Sequence, residues 1–375
     1  MKKILIILDG ADDLPCPELG GRTPFEAAET PNYDRLAAVC MKSLFSTFDD
    51  GTIPGSENAI PSLLGYSGLE IKTVGRGALE ALGMGVKLLP GEFAMRCNIV
   101  ELEAEGTYLT DRPEKIDAEE IRNRFSGNFS ALRTFGYRIY HLGDLKSVVI
   151  SKNPFCGQVC PPPHDALLYS IKKWRISQSN PNESMREKAL SEIASAIIDI
   201  KTDKSTRYFG LWLWGGGNLP RWKPFTTLSG YKNPTAITGT PLVKGIAKAI
   251  GMAAPSIPGA TGGISTDYEA KAQAAIDALT GGAEFVMIHI EAPDEAGHLG
   301  DPWLKKRVIE EIDRRLLGPL LTGLKRHGIE TDITITADHP TPCSLRRHTD
   351  APVTSLTAHF NRSSNYNSML YQDSV

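Results

Sequence analysis

Several features are missing from this sequence, and each absence narrows what the chain does. No apolar run is long enough to cross a bilayer, which takes about 20 residues in a helix. Cysteine is scarce: six scattered residues have no disulfide-scaffold density and fit a reducing cytoplasm, which is the expected location. An excess of either charge is also lacking, since 41 Lys and Arg stand against 44 Asp and Glu for a net charge of -3. A chain so balanced has no nucleic-acid footprint and no general attraction to an anionic membrane, so an anionic ligand must be held by local positive charge. Neither a Walker A pattern, nor a glycine-rich kinase loop, nor an internal repeat occurs.

What remains is ordinary for a soluble globular protein, with 41% hydrophobic and 23% charged residues. At 375 residues the chain suits two domains, or one large domain with an insertion. The amino terminus, "MKKILIILDGADD", starts like a signal peptide, but the apolar run is short and meets Asp9, Asp12 and Asp13 where a cleavage site would need small residues. It reads as a first core strand. Cys156, Cys160 and His164 are three candidate ligands of a structural zinc, but the spacing is loose and no fourth ligand is evident, so ordinary loop cysteines are the expectation.

Four apolar runs end in polar or glycine-rich chemistry: "KKILIILDG" at Asp9, "YFGLWLWGGGN" at Gly215 to Gly217, "FVMIHIEAPD" at Asp294, and "TDITITADHP" at Asp338 and His339. Separated by helical patterns, such runs are expected to be buried parallel strands. One helical pattern, "TDYEAKAQAAIDALTGG", stops at Gly281 and Gly282; another, beginning "WLKKRVIEEIDRR", is expected to break near Gly318 and Pro319. Ligands of open α/β sheets bind beyond the carboxyl ends of the strands, so Asp9, Asp294, Asp338 and His339 are expected at one rim. Residues 73–204 read as a separate α/β domain with a polar linker, inserted into a core made of residues 1–72 and 205–375.

Asp294 and His298 stand four apart, so one helical turn puts both side chains on one face. Alone, such a pair is often merely solvated, and so is an Asp-His pair after a strand or a loop histidine such as His348. Together with Asp9 they suggest a two-metal site. In "GTIPGSENAIPSLLGY", Ser56 lies at a helix start; it is either a simple cap or a nucleophile beside N–H groups that favour phosphate. Serine next to a hard, two-ion site suggests phosphoryl transfer.

The order Asp9-Gly10, Ser56, Asp294-x-x-x-His298, Asp338-His339, His348 is similar to that of the alkaline phosphatase superfamily. More narrowly, "GGRTPFEAAETPNYDRLA", "PGSENAIPSLLGY", "GRGALEALGMG", "RCN", "PGATG", "EAPDEAGHLGD" and "DHPTP" resemble the archaeal-type cofactor-independent phosphoglycerate mutases, from residue 1 to about 350. The resemblance implies an α/β fold: a three-layer core with a mainly parallel sheet, plus the smaller inserted domain acting as a lid that excludes water. It implies two divalent ions (Mn, Mg or Zn), one on Asp294, His298 and His348, the other on Asp9, Ser56, Asp338 and His339. It also implies that Ser56 takes the phosphoryl group of 3-phosphoglycerate and returns it to the other hydroxyl of the retained glycerate. For the substrate's phosphate and carboxylate, the candidate arginines are Arg76, Arg96 and Arg112, with Asp111 as a proton carrier; each is equally readable as a surface residue. Lys244 reads as structural.

The sequence departs from the family at three places. Ile60 stands where many relatives have histidine, Asn218 where they have lysine (Arg221 and Lys223 being candidate replacements), and "CGQVCPPPHDA" is unlike the usual aspartate-rich segment. After "HTDAPV" a closing strand and helix are implied, but the polar "TSLTAHFNRSSNYNSMLYQDSV" follows, which leaves a sheet edge uncovered near His348 as the expectation. A changed acceptor would make the chain a homoserine kinase of the proposed kind or a phosphatase; a decayed site would make it a non-catalytic metal-binding protein. The partner expected is a small phosphorylated molecule, with neither nucleic acid nor membrane; the sequence leaves self-association open.

Overall fold

The computed structural model describes residues 2–38, 40–49, 51–68, 75–103, 108–109, 117–143, 145–152, 162–163, 197–201 and 206–361. Asp111, Arg112, Cys156, Cys160 and His164 lie outside them. Two compact units emerge, Met1–Ile71 with Trp222–Val375, and Lys72–Arg221. The strands of the described residues, in chain order, are β1 (Lys2–Leu8), β2 (Met41–Phe45), β3 (Phe93–Glu103), β4 (Tyr108–Leu109), β5 (Arg138–Gly143), β6 (Lys146–Ser151), β7 (Ile197–Lys201), β8 (Thr206–Gly217), β9 (Thr235–Ile237), β10 (Phe285–Ile290), β11 (Thr331–Thr336) and β12 (Val353–Phe360). No helix among these residues is long and apolar enough to cross a membrane.

The first unit is built on a six-stranded sheet of order β2-β12-β11-β1-β10-β9. β1 pairs in parallel with β10 and β11, and β10 with β9, whereas β12 and β2 are antiparallel. All six residues of β10 are buried, as are the last five of β1, because helices cover both faces of a parallel sheet. Ile4, Ile6, Val286 and Ile288 pack in one cluster with Ala272, Ile276, Leu316, Leu320 and Leu324. Each buried isoleucine, valine or leucine among them contributes about 1.5–3 kcal/mol. The register pairs Leu8 with Ile290 and Ile7 with Thr336, so β1, β10 and β11 end level and release their loops at one rim.

The helix Tyr268–Thr280 begins at Asp267, whose carboxylate accepts the Ala270 N–H, and is followed by Gly281 and by Gly282 at φ +99°. The expected break at Gly318 and Pro319 does not occur. The helix Pro302–Ile312 runs through a π-turn, Asp313–Leu317, into the helix Gly318–His327. Pro319 lies just after the π-turn, whose altered hydrogen-bond ladder takes in the residue that lacks an N–H. The buried Asp313 carboxylate accepts the N–H groups of Asn32 and Tyr33 at 3.1 and 2.7 Å, anchoring the turn to the helix Pro31–Ala37.

The second unit holds an antiparallel sheet of order β5-β6-β3-β8-β7, with β4 beside β3. This corrects the reading of "YFGLWLWGGGN" as a parallel strand. It is β8, antiparallel to β3 and β7; an apolar run shows burial on both faces but not strand direction. The helix Arg76–Gly83 lies on this sheet, its Ala78 and Ala81 against Ala94, Val148 and Ile150. The approach is so close that a Cβ on Gly77 would lie 2.5 Å from the Met95 Cα, and one on Gly75 2.3 Å from the Gly217 Cα.

A second correction concerns residues after "HTDAPV". Val353–Phe360 forms β12, which inserts between β11 and β2, so the sheet is covered beside β11. Val353, Leu356, Ala358 and Phe360 are buried while Thr357 and His359 are exposed. The period of two was masked by a threonine- and serine-rich composition. Asp12 holds the strand's start, accepting from Thr354 N at 2.8 Å and Thr354 Oγ1 at 3.1 Å. The remaining tail, 362–375, lies outside the described residues.

Candidate functional site

Beyond the carboxyl ends of β1, β10 and β11, two groups of metal-ligating side chains form: Asp9, Asp338 and His339; and Asp294, His298 and His348. Asp9 follows β1 directly, and its backbone N–H bonds to the Ile290 carbonyl. Asp294 and His298 share one face of the helix Ala292–Leu299, and their Oδ2 and Nε2 lie 3.4 Å apart. Ser56 is the first residue of the helix Ser56–Leu63, with Gly55 in the capping position, so it is not an N-cap serine. Its Oγ lies 3.5 Å from Asp9 Oδ2 and 3.4 Å from His339 Nε2. The His339 and His348 rings stack with centroids 3.9 Å apart, which places the two groups side by side.

Hydrogen bonds leave the inward-facing atoms as the donors to an ion. Asp338 Oδ1 accepts from the Gly10 and His339 N–H groups, and Asp9 Oδ2 faces His289 Nε2 at 3.0 Å. Their other oxygens, Asp9 Oδ1 and Asp338 Oδ2, are buried without a hydrogen-bond partner, and lie 3.5 and 3.4 Å from His339 Nε2. In the second group, His298 Nδ1 donates to the Arg346 carbonyl at 2.8 Å and His348 Nδ1 to that of Pro54 at 3.3 Å. Both Nε2 atoms then meet at 2.9 Å with Asp294 beside them. Two imidazole lone pairs cannot face each other at that distance without a cation or proton between them. Orphaned carboxylate oxygens and opposed imidazoles both fit divalent ions with oxygen and nitrogen donors.

The electrostatics of the metal-free protein agree. Burial, then the neighbouring Asp338 and Asp294 carboxylates, raise the Asp9 carboxyl well above the usual range. Burial also acts to raise Asp294, but the His298 and His348 imidazoles outweigh it and hold that carboxyl well below. In return, Asp294 overcomes the burial of His348 and lifts its imidazole to about 8, and raises His298 as well. Burial dominates at His289 and His339, both lowered to about 4 and hence neutral at pH 7.

Three supporting residues were missed in the sequence. His289, 1% exposed, orients Asp9. Its signal was an imidazole within an otherwise apolar strand. Lys305 is fully buried and donates to Asp13 Oδ2 at 2.8 Å and to the carbonyls of Asp12 and Thr341, tying the loop after β1 to the loop after β11. Thr341, also fully buried, donates to Asp294 Oδ1 at 2.5 Å. Lys305 and Thr341 lie in ordinary helix and loop patterns, so no signal marked them.

In the second unit, Arg76 and Arg96 come together. Arg76 Nε donates to the buried Glu80 Oε1 at 3.1 Å, Arg96 Nη1 donates to the same oxygen, and both guanidiniums lie over Trp214 at 5.3 and 5.6 Å. Both guanidiniums thus converge on one carboxylate and one indole. Asn218 is not placed as a charged group; its Nδ2 donates to the Glu92 carbonyl. Arg221 and Lys223 are exposed on the loop after β8, and Ile60 is a fully buried core residue. Lys244 lies in the helix Pro241–Ala249.

Comparison with known proteins follows the same lines. A family model described as the metalloenzyme superfamily matches residues 1–370. The 2,3-bisphosphoglycerate-independent phosphoglycerate mutase 2 of Methanothermobacter thermautotrophicus is 35% identical over 96% of this chain and 89% of its own. A probable 2,3-bisphosphoglycerate-independent phosphoglycerate mutase of Geobacter sulfurreducens is 34% identical over 94% and 89%. Among solved structures, a Pyrococcus horikoshii protein superposes with a TM-score of 0.71 at 28% identity, covering 96% of this chain and 87% of that one. The cofactor-independent phosphoglycerate mutase of Thermoplasma acidophilum, at 23% identity and TM-score 0.54, shares the fold over 98% and 95%. With a family model and relatives that match over nearly the whole length, the chain belongs to the metalloenzyme superfamily and, within it, to the 2,3-bisphosphoglycerate-independent phosphoglycerate mutases.

Proposed function

We propose that this chain interconverts 3-phosphoglycerate and 2-phosphoglycerate through a phosphoserine at Ser56. The observation that carries the reading is the buried Ser56 Oγ, set 3.4–3.5 Å from His339 and Asp9, two members of one ligand group. Asp294, His298 and His348 would hold one divalent ion, and Asp9, Asp338, His339 and Ser56 a second, with Mn, Mg and Zn as the candidates. When bound, such ions supply charge stabilisation for phosphoryl oxygens and favour the serine alkoxide.

The chain's own residues account for the rest. Ser56 Oγ donates towards Asp9 Oδ2, which gives its proton a nearby acceptor. An Oγ–P bond forms as the bond from phosphorus to the glycerate O3 breaks, and O3 takes up a proton. The retained glycerate then offers its O2 hydroxyl, which loses its proton as a new O2–P bond forms and the Oγ–P bond breaks. Arg76 and Arg96, oriented by Glu80 and Trp214, are the proposed anion-holding groups of the inserted unit. Exclusion of water during the phosphoserine's lifetime separates a mutase from a phosphatase.

Partition of the phosphoryl group tests the reading. Metal-loaded protein is given 3-phosphoglycerate, with phosphoserine sought at Ser56 by mass spectrometry and both 2-phosphoglycerate and free phosphate followed. A parallel reaction offers ATP and homoserine. Isomerisation with a modified Ser56 and little free phosphate is expected. Free phosphate as the main product makes the chain a phosphatase, and phosphohomoserine makes it a kinase.

A further inference from the structure

We infer that the Thr341 hydroxyl is a positioning group that links the two metal-ligand groups and sets the tautomer of His339. Thr341 Oγ1 lies 2.5 Å from Asp294 Oδ1 and 3.3 Å from His339 Nδ1, so it touches one ligand of each group. A hydroxyl carries one proton and two lone pairs. Asp294 has imidazole nitrogens of His298 and His348 at 3.4 and 3.5 Å, and an ionised carboxylate there only accepts. The hydroxyl proton must therefore go to Asp294, and Thr341 Oγ1 must accept from His339 Nδ1–H. That leaves the lone pair of His339 on Nε2, the atom facing Ser56, Asp9 and Asp338.

The other two candidate histidine ligands have this decision made by backbone carbonyls, those of Arg346 and Pro54. For His339 it rests on a side chain, so it can be removed by substitution. The surroundings keep the hydroxyl in place. The Thr341 carbonyl accepts from the buried Lys305 Nζ at 2.9 Å, and the Thr341 N–H bonds to the Asp12 carbonyl at 3.3 Å. Two glycines make the room. A Cβ on Gly10, at φ +62°, would stand 2.6 Å from Thr341 Oγ1, and one on Gly297 2.4 Å from the Thr341 carbonyl oxygen. Gly297 is the glycine between Asp294 and His298, so the helix that carries one ligand group can approach the loop that carries the other.

Only the metal arm of the test rests on the two-ion reading above. Thr341→Val keeps the shape without the hydroxyl, and Thr341→Ser keeps the hydroxyl. Titration of Mn2+ into metal-free protein, followed by calorimetry and by the ion's paramagnetic resonance, should show affinity lowered about 10–100-fold in Thr341→Val and within about threefold of wild type in Thr341→Ser. Equal affinity in wild type and Thr341→Val would overturn the inference. Wild type that takes up no ion counts against the two-ion reading instead. A second arm needs no metal: 15N-histidine spectra of metal-free wild type, with the His339 signal assigned by its loss in folded His339→Asn. A proton on Nδ1 at neutral pH supports the link, and a proton on Nε2 overturns it whatever the ion titration gives.

Discussion

Ser56 makes the sharpest residue-scale prediction, because its buried hydroxyl faces Asp9 and His339 from the first turn of a helix. Ser56→Ala should cut isomerisation by at least about 10³-fold while leaving Mn2+ uptake at Asp294, His298 and His348 measurable by calorimetry. The imidazoles predict a pH profile for the metal-free protein. His348 is raised in the folded state to about 8 from 6.5, so its pairing with Asp294 contributes fully below 6.5 and is lost as pH rises through 8. His289 and His339 run the other way: lowered to about 4, they cost stability as pH falls below 6.5, because the unfolded chain takes the proton first. Denaturant titrations should therefore show greatest stability near pH 6.5, with roughly 1–2 kcal/mol lost by pH 9. His348→Gln should flatten only that alkaline limb; an unchanged limb would place its source elsewhere. The six candidate ligands were named from the sequence because Asp and His after apolar runs, weak singly, were counted jointly, and the structure gathers them in two groups of three. His289, Lys305 and Thr341 were not, since each matters through a contact hundreds or tens of residues away in sequence.

Elements carry the geometry that brings these residues together. β1, β10 and β11 could be read from their apolar runs, and so could the helix that puts Asp294 and His298 on one face, because burial and helical period are local properties. Strand direction and partner are not, which is why β8 was assigned to the wrong sheet and β12 was not seen. β12 gives a direct test of its importance. Leu356 is fully buried between β11 and β2, and Leu356→Ala should cost about 2–5 kcal/mol in chemical denaturation. A change below about 0.5 kcal/mol, the range of ordinary surface substitutions, would mean the strand is not packed as described. The glycine of the Asp294–His298 helix is equally specific: Gly297→Ala should push the helix away from Thr341 and weaken Mn2+ binding, with its far-UV circular dichroism unchanged.

At the scale of the whole molecule, the ligand groups lie in one unit and the paired arginines in the other. Ions should therefore protect the two units unequally. An ion at 100 times its dissociation constant stabilises the fold it binds by about 2.7 kcal/mol. Hydrogen exchange with and without Mn2+ should slow in β1, β10 and β11 and stay nearly unchanged in β3 and β8; equal slowing everywhere would contradict a site confined to the first unit. Family membership follows from similarity over nearly the full length, whereas the departures at Ile60 and Asn218 touch a packed core and a loop contact and leave all the ligand atoms in place. The central claim is that these atoms serve phosphoryl movement within one retained substrate. Its most direct test is the conversion of 3-phosphoglycerate to 2-phosphoglycerate by purified protein with Mn2+ and no added 2,3-bisphosphoglycerate. The account predicts steady conversion that stops on chelation, resumes when the ion is restored, and is absent from Ser56→Ala. Folded, metal-loaded protein that makes no 2-phosphoglycerate, or makes it equally well without Ser56, would contradict it.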